Sequence, residues 1–527
     1  MNFIILLMTA VMLSLPFCFE KMWALAWVSQ SVLVYSVFCR KMSLKRVFCS
    51  LFCFFYLFYF CVYSWFVNLY PLDFAGLENG ESIVVILCGI FLIPLIQSVL
   101  MSVCVFFGYL VCLNAKSDAV KAVTFACAYV PGEFLQTLGT FAFPWTKLSL
   151  TQTARLENLQ STSLFGGYFT SFLMVLVSGM LAFSFAKFKN GNKKRAFGIL
   201  LCVVLVFGIN FVYGKYEMNK QVQYKNVNVV ALQGNIASGE KWQDDADHKG
   251  VYMTLANAAK EELAKENFKP DITILPETAF PVTLVRDGNV PYSSGDDAGV
   301  LFDIADTLDT VLFAGAFCEK DKNTYNSVFS ISSNGKISLP YNKHNIVPFG
   351  EFLPYRNLLV RVLPFLESVN MLSSDLARGE EYIPIQTQKV NAGVLVCFDS
   401  IFEKTARLQV KNGAEILCVS TNDSWYKTSP ALYQHARHSI LRAIENRVCV
   451  VRSANTGISL ISDECGRIIE KTNVNERTFI NATIRVSEKR SMYTQIGDVF
   501  VFVCFAWILV LLVAKIKNSR TKVRENK

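Results

Sequence analysis

Apolar residues follow two different patterns along this chain. Over residues 1–214, and again near the C terminus, they form long, nearly unbroken runs. Between residues 215 and 498 they come in short bursts set among polar stretches. A helix needs about 20 apolar residues to cross the ~30 Å hydrocarbon core of a bilayer. Eight runs approach that length: 3–19, 22–39, 47–70, 82–113, 119–143, 164–186, 196–214 and 499–514. The pattern therefore predicts about eight membrane spans, seven before the polar segment and one after it. The fourth run contains Pro94, and the fifth contains Lys121 and Glu133. The first run has no basic residue ahead of it, so it reads as a retained helix rather than a cleaved signal.

The polar segment alternates short β-rich runs (NVNVVALQG, DITILPE, TVLFAGAF, NAGVLVCF, AEILCVSTND, TFINATIRV) with helix-length stretches near 244–265, 296–308, 400–411 and 430–446. Ser333-Asn334-Gly335 and Asp463-Glu464-Cys465-Gly466 predict hairpin turns. Interleaved strands and helices predict a mixed sheet covered by helices, or two such layers packed together. The resulting plan is a membrane domain over 1–214, an α/β domain over 215–498, a final span at 499–514 and a basic tail at 515–527.

Composition agrees with a membrane protein. Of the 527 residues, 52% are hydrophobic and 18% charged, against about 25% charged in soluble chains. This excludes a disordered, collagenous or disulfide-stapled class. The net charge of +9 divides into +7 for residues 1–214, −3 for 215–498 and +5 for 499–527. Because the polar segment is slightly acidic, nucleic acid is an unsuitable partner. The basic surplus sits beside apolar runs: Arg40, Lys41, Lys45 and Arg46; Lys187 to Arg195; and the tail from Lys515 to Lys527. The loop Tyr70–Glu81 carries Asp73, Glu78 and Glu81 instead. With eight spans, the positive-inside rule puts both termini in the cytoplasm and residues 215–498 on the opposite face. Eleven of the 16 Cys lie in apolar runs, the remaining five form no CxxC pair, and there are 4 His. No metal site or cofactor is expected.

Three residues at the ends of predicted strands have reactive chemistry. Glu277 closes ITILPE, Lys343 ends the second strand of a hairpin, and Cys397 ends VLVC just before a helix. Sheets of this kind place their sites at such strand ends, and a helix N-terminus is expected to lower the pKa of the Cys397 thiol. Taken singly, each has a plainer reading, as a surface cap, a solvated lysine and a core thiol. His435 and His438, with Arg437 and Arg442, read first as a packed or solvated helix face. Asn455-Thr456-Gly457 reads first as a turn.

Taken together, ILPE, NKHNIVPFGEFLP, GVLVCFDSIF and NDSW resemble the nitrilase superfamily, with its Glu–Lys–Cys triad. QGNI followed by Lys241-Trp242, VPFGEFLPY, QHARHSILRAIENR, SANTG, the stretch Gly132–Trp145 and SMYTQIGD narrow the resemblance to the apolipoprotein N-acyltransferase family. The resemblance implies an eight-helix membrane domain and a nitrilase-like αββα sandwich on the periplasmic side of a bacterial inner membrane. It implies that a Cys397 thiolate takes an acyl chain from a membrane phospholipid and passes it to the α-amine of a diacylglyceryl apolipoprotein. Glu277 is then the general base, Lys343 the oxyanion partner, and Glu351 the group that holds Lys343 or the incoming amine. Trp242 lines the acyl or headgroup site. The family pattern after the nucleophile is Cys-Tyr-Glu, whereas this chain has Cys397-Phe398-Asp399. Phe398 loses a hydroxyl, and Asp399 keeps the charge on a shorter arm.

Two other readings stay open: a membrane-tethered carbon–nitrogen hydrolase with water as acceptor, and a silent lipid-binding homologue. The segment Phe352–Leu366 is strongly apolar, with Arg356 and Arg361 as its charges. It is either a core helix or an arm that dips into the bilayer interface.

Overall fold

β-branched and aromatic residues dominate the short apolar bursts, and these become strands. The computed structural model describes all residues except 1–2, 73–75, 244–245, 288–289, 293–296, 334, 339, 368–374 and 526–527, so Asp73, Asn334 and Lys527 lie outside the described residues. The first seven strands are β1 (Lys225–Gln233), β2 (Ile272–Ile274), β3 (Thr283–Asp287), β4 (Val290–Tyr292), β5 (Val311–Lys320), β6 (Asn323–Ser332) and β7 (Tyr341–Asn342). The next seven are β8 (Ile385–Gln386), β9 (Asn391–Val396), β10 (Ile416–Thr421), β11 (Cys449–Ala454), β12 (Leu460–Ser462), β13 (Ile468–Lys471) and β14 (Thr478–Val486). One sheet runs β14-β1-β2-β5-β3-β4, with β6 on β5 and β7 on β6; the other runs β13-β12-β11-β10-β9-β8. In the second sheet, β9, β10 and β11 are neighbouring parallel strands. Their C-terminal ends therefore share one edge.

Alternation along the strands divides the apolar residues between two faces. Val227, Val229, Ala231, Ile272 and Ile274 of the first sheet share a buried cluster with Val394, Val396, Ile416, Cys418 and Val451 of the second. Each buried Val or Ile here stabilises the fold by about 1.5–3 kcal/mol. The other face of the first sheet packs Val230 and Leu232 against the helices His248–Lys265 and Asp297–Leu308, through Tyr252, Leu255, Val300 and Ile304. The outer face of the second packs Leu395, Leu417 and Val450 against Glu403–Lys411 and Ala431–Asn446. The order of layers is helix, sheet, sheet, helix.

The chain divides into two compact units. One holds Met1–Phe66, Leu87–Lys220 and Ile496–Lys527, the other Val67–Ile86 and Gln221–Gln495. The sequence plan set this division at 214 and 498. Helix Lys193–Met218 continues past 214, and the loop after the third apolar run belongs with the α/β unit, where Lys427 Nζ donates to the Tyr70 carbonyl at 2.6 Å.

Among the described residues, five helices are long and apolar enough to cross a membrane, and Phe3–Cys18 is a shorter apolar helix. The run 22–39 is interrupted at Ser29-Gln30 and forms two short helices, Leu25–Val28 and Ser31–Phe38. The fifth run forms Asp118–Leu135, shorter than expected, and Glu133 within it is buried and accepts from the Leu148 N–H at 2.7 Å. Pro94 lies inside the continuous helix Asn79–Cys112. Leu201, Val204, Ile209 and Val212 of Lys193–Met218 are exposed. An apolar face of that size suits lipid rather than water.

Candidate active site

Five strand ends bring polar residues together in the α/β unit. Glu277 follows β2 by three residues, Lys343 follows β7, Cys397 follows β9, Asn422 and Asp423 follow β10, and Asn455 follows β11. Gly315 of β5 lets the Glu277 backbone pass close by, since a Cβ there would meet Thr278 N at 2.6 Å and Glu277 Cα at 2.9 Å.

Glu277 Oε1 accepts from Lys343 Nζ at 3.0 Å and from Asn326 Nδ2 at 2.7 Å, and Oε2 accepts from the Asn422 N–H at 3.0 Å. Lys343 Nζ also donates to Glu351 Oε1 at 2.8 Å. Asn326 bridges both carboxylates, donating to Glu351 at 2.9 Å. Glu351 Oε2 accepts from the Val347 N–H at 2.8 Å, which folds the loop after Lys343 back onto the site. Lys343 is 1% exposed. An ammonium has three donors, and two of these meet carboxylates. Burial opposes charge on both partners, but the ion pair outweighs it: Lys343 is held well above its usual range and Glu277 below its own.

Cys397 departs from expectation. Burial and the Glu277 carboxylate push its thiol up, and the opposing Lys343 charge does not compensate. The helix that follows is a five-residue 3-10 turn, Cys397–Ile401, too short to supply the N-terminal field the sequence suggested. The resting pair is therefore a thiol beside a carboxylate. Cys397 has φ 47° and Thr278, next to Glu277, has φ 43°, both in the left-handed region that non-glycine residues seldom adopt.

Asp399 is fully buried and accepts from Tyr341 OH at 2.9 Å, from the Asn345 N–H and Nδ2 at 2.8 Å each, and from the Val396 N–H at 3.2 Å. It pins the loop after Lys343 to the turn that carries Cys397, and the shorter side chain fits that space. Phe398 is buried edge-on against Phe402, with ring centroids 5.3 Å apart. Trp242 is exposed, 6.2 Å from the Phe317 ring.

Sequence reasoning missed a second buried cluster behind Cys397. His435 Nε2 lies 3.2 Å from the Cys397 carbonyl oxygen and 3.1 Å from Ser400 Oγ. His435 Nδ1 lies 2.8 Å from Asp423 Oδ1, and Arg452 Nη2 donates to Asp423 Oδ2 at 2.7 Å. All three side chains are inaccessible to solvent. Burial works against ionisation of Asp423, yet Arg452 and His435 hold its carboxyl well below the usual range. Burial keeps His435 below the ordinary imidazole range. Gly457 leaves room for this cluster, because a Cβ there would collide with the Asp423 carboxylate. Asn455 also joins the site, donating to Asn422 Oδ1 at 3.1 Å and to the Ile236 carbonyl at 2.6 Å.

The segment 352–366 resolves into the helix Arg356–Val362, which buries none of its residues; Tyr355, Leu358 and Val362 are exposed. The core-helix reading is therefore excluded. Arg356 pairs with Asp375 at 2.5 Å, which leaves Arg361 as the exposed charge.

Among the described residues there is no group of three or more His, Cys, Asp or Glu able to hold a metal ion. A carbon-nitrogen hydrolase family model matches residues 228–493, and the apolipoprotein N-acyltransferase N-terminal domain matches 9–180. The chain is 30% identical over 412 residues to the apolipoprotein N-acyltransferase of Geobacter metallireducens, covering 77% of this chain and 76% of that protein. It is 26% identical over 506 residues to the apolipoprotein N-acyltransferase of Haemophilus influenzae, covering 93% and 90%.

Proposed function

The chain belongs to the apolipoprotein N-acyltransferase family, and on that premise we propose that it acylates the N-terminal amine of diacylglyceryl apolipoproteins with a chain taken from a membrane phospholipid. It is an acyltransferase with a nitrilase-like α/β unit and a membrane domain. The observation that best supports the mechanism is the Glu277–Lys343–Glu351 network, its Glu277–Lys343 pair buried, beside the Cys397 turn.

In the first half-reaction Glu277 takes the Cys397 S–H proton as sulfur attacks the ester carbonyl. A C–S bond forms and the oxyanion meets the third donor of Lys343. Collapse breaks the ester C–O bond, and the Glu277 proton passes to the leaving alkoxide. In the second, the lipoprotein amine attacks the thioester, Glu277 removes an N–H proton, a C–N bond forms and the C–S bond breaks. The thiolate regains the proton. An amide is more stable than a thioester, so the sequence runs downhill. Combining the protein with phospholipid and a diacylated lipopeptide should yield a triacylated product. Fatty acid released to water in its place would favour the hydrolase reading, and no reaction at all the silent binder.

Phospholipid must reach a buried thiol, and the exposed apolar face of Arg356–Val362 suits insertion into the interface. The substitutions Leu358→Glu and Val362→Glu fall on that face, whereas Leu359 and Leu363 are half-buried. The double variant should keep its melting temperature and lose ~tenfold or more of thioester formation from vesicles, with a water-soluble thioester donor unaffected. Equal loss with both donors rules out the arm.

The basic loops support cytoplasmic termini and a periplasmic α/β unit. Reporter fusions at Lys193 and after Lys515 should behave as cytoplasmic and a fusion at Asn334 as periplasmic; the reverse pattern inverts the topology.

A further inference from the structure

A second lysine, outside the Glu–Lys–Cys set, is buried against the backbone of the same glutamate. Lys241 ends the short helix Ser238–Lys241 and is 1% exposed. Its Nζ donates to the Glu277 carbonyl oxygen at 2.9 Å and to Thr278 Oγ1 at 2.6 Å. Its own carbonyl oxygen lies 2.9 Å from Nε2 of buried His248, which anchors the backbone that carries it. Burying an ammonium is costly, and a neutral amide could hold one carbonyl and one hydroxyl as well. The charge therefore needs a reason of its own. Thr278 is β-branched and sits at φ 43°, a conformation such residues avoid. Lys241 grips both sides of this peptide, the carbonyl before it and the hydroxyl after it. That turn aims the Glu277 side chain at Lys343, Asn326 and the Asn422 N–H.

We infer that Lys241 is a positioning residue for the Glu277 base: it clamps the strained Glu277–Thr278 turn and adds a second positive charge that keeps the carboxylate ionised. This rests on the reading of Glu277 as the base for Cys397.

The groups facing Glu277 come from every side of the site. Lys343 and Asn326 come from the β6–β7 side, with Glu351 behind Lys343; Cys397 follows β9, and Asn422 follows β10. Half-buried Tyr426 and buried Asp423 also act electrostatically on Cys397. Lys343 is held well above its usual range and stays charged throughout neutral pH. Lys241 behaves differently: burial lowers it to about 8, against the pull of Glu277 and Cys397 in the other direction. A rise in pH through 8 therefore removes the charge of Lys241 and leaves that of Lys343.

The test compares wild type with Lys241→Met and Lys241→Arg between about pH 6 and about pH 9, using two readouts. One is thioester formation on Cys397 from phosphatidylethanolamine vesicles; the other is alkylation of Cys397 by iodoacetamide, which needs no lipid chemistry. In both, Lys241→Met should run about tenfold slower than wild type at the acid end. The gap should narrow to about threefold or less at the alkaline end, where wild type has lost the same charge. Arg stays protonated, so Lys241→Arg should restore the acid-end rate and then gain on wild type as pH passes 8. A deficit that is constant with pH, or no deficit, overturns the inference, because a purely structural prop acts equally at every pH. If Lys241→Met does not fold, the Lys241→Arg comparison decides by the same criterion. Wild type that is alkylated with the expected contrast but never acylated by phospholipid would sink the acyl-transfer reading and leave the role of Lys241 standing. Acylated wild type with flat contrasts would do the opposite.

Discussion

Cys397→Ala should abolish acyl transfer, lowering the rate about 10⁴-fold or more, while the domain stays folded. Alanine tolerates the φ 47° backbone no worse than cysteine does, and the lost sulfur leaves a small gap beside the strand ends. Cys397→Ser should be nearly as inactive, because a hydroxyl is a far weaker nucleophile than sulfur with this base. Glu277→Gln should block thioester formation, since the amide cannot accept the thiol proton and the thiol is already held in its neutral form by burial. Lys343→Ala should cost more than the ~3 kcal/mol of a lost oxyanion donor. Glu277 and Glu351 both bond its ammonium, and without it the buried Glu277 carboxylate faces the half-buried Glu351 carboxylate through Asn326. One must take up a proton, and the base is lost along with the oxyanion partner. Incubating wild type with labelled phospholipid and no acceptor should trap a hydroxylamine-sensitive acyl protein. Triacylated product at full rate from Cys397→Ala would mean direct transfer from lipid to amine, without a thioester.

That Glu277, Lys343 and Cys397 meet could be read from sequence because each follows a strand and keeps a local motif. Strand ends are what parallel sheets bring to one edge. Glu351 was legible for the same reason, eight residues beyond Lys343 in an unbroken motif. The acidity of Cys397 was not. Its local pattern of strand, Cys and helix suggests a low pKa, but the sign is set by burial and by Glu277, which lies 120 positions away in the chain. The second cluster was illegible for a similar reason. Asp423, His435 and Arg452 come from a strand end, a helix and another strand, and nothing in their spacing predicts that they meet. The span count shows a limit of another kind: hydropathy registers the apolar content of 22–39 and not the break at Ser29-Gln30 that divides it into two short helices.

That hidden cluster carries the largest expected effect on stability. Asp423→Ala should destabilise the α/β unit by about 3–5 kcal/mol, because it strands the Arg452 guanidinium in the interior without a counter-charge. Arg452 is fully buried, and its other bonds are to the neutral Ile458 carbonyl, Ser439 and His435. The pH dependence follows from the direction of the shift. The Asp423 carboxyl is held well below its ordinary range, so its contribution is complete above the unfolded pKa of about 3.9 and lost as pH falls through the lower folded value. The deficit of the variant should thus be constant through neutral pH and narrow only in strong acid. The double variant Asp423→Ala, Arg452→Met removes both charges, and should lose less stability than either Asp423→Ala or Arg452→Met alone. Urea midpoints of the four proteins in one detergent test this, and a double variant weaker than the sum of its singles would deny the coupling. The same variants separate support from chemistry. His435 stands between Asp423 and the Cys397 carbonyl, so a double variant that recovers stability has still lost the group that orients His435. Its thioester formation should remain slow after its fold is restored, because His435 bonds the carbonyl of the left-handed Cys397 turn.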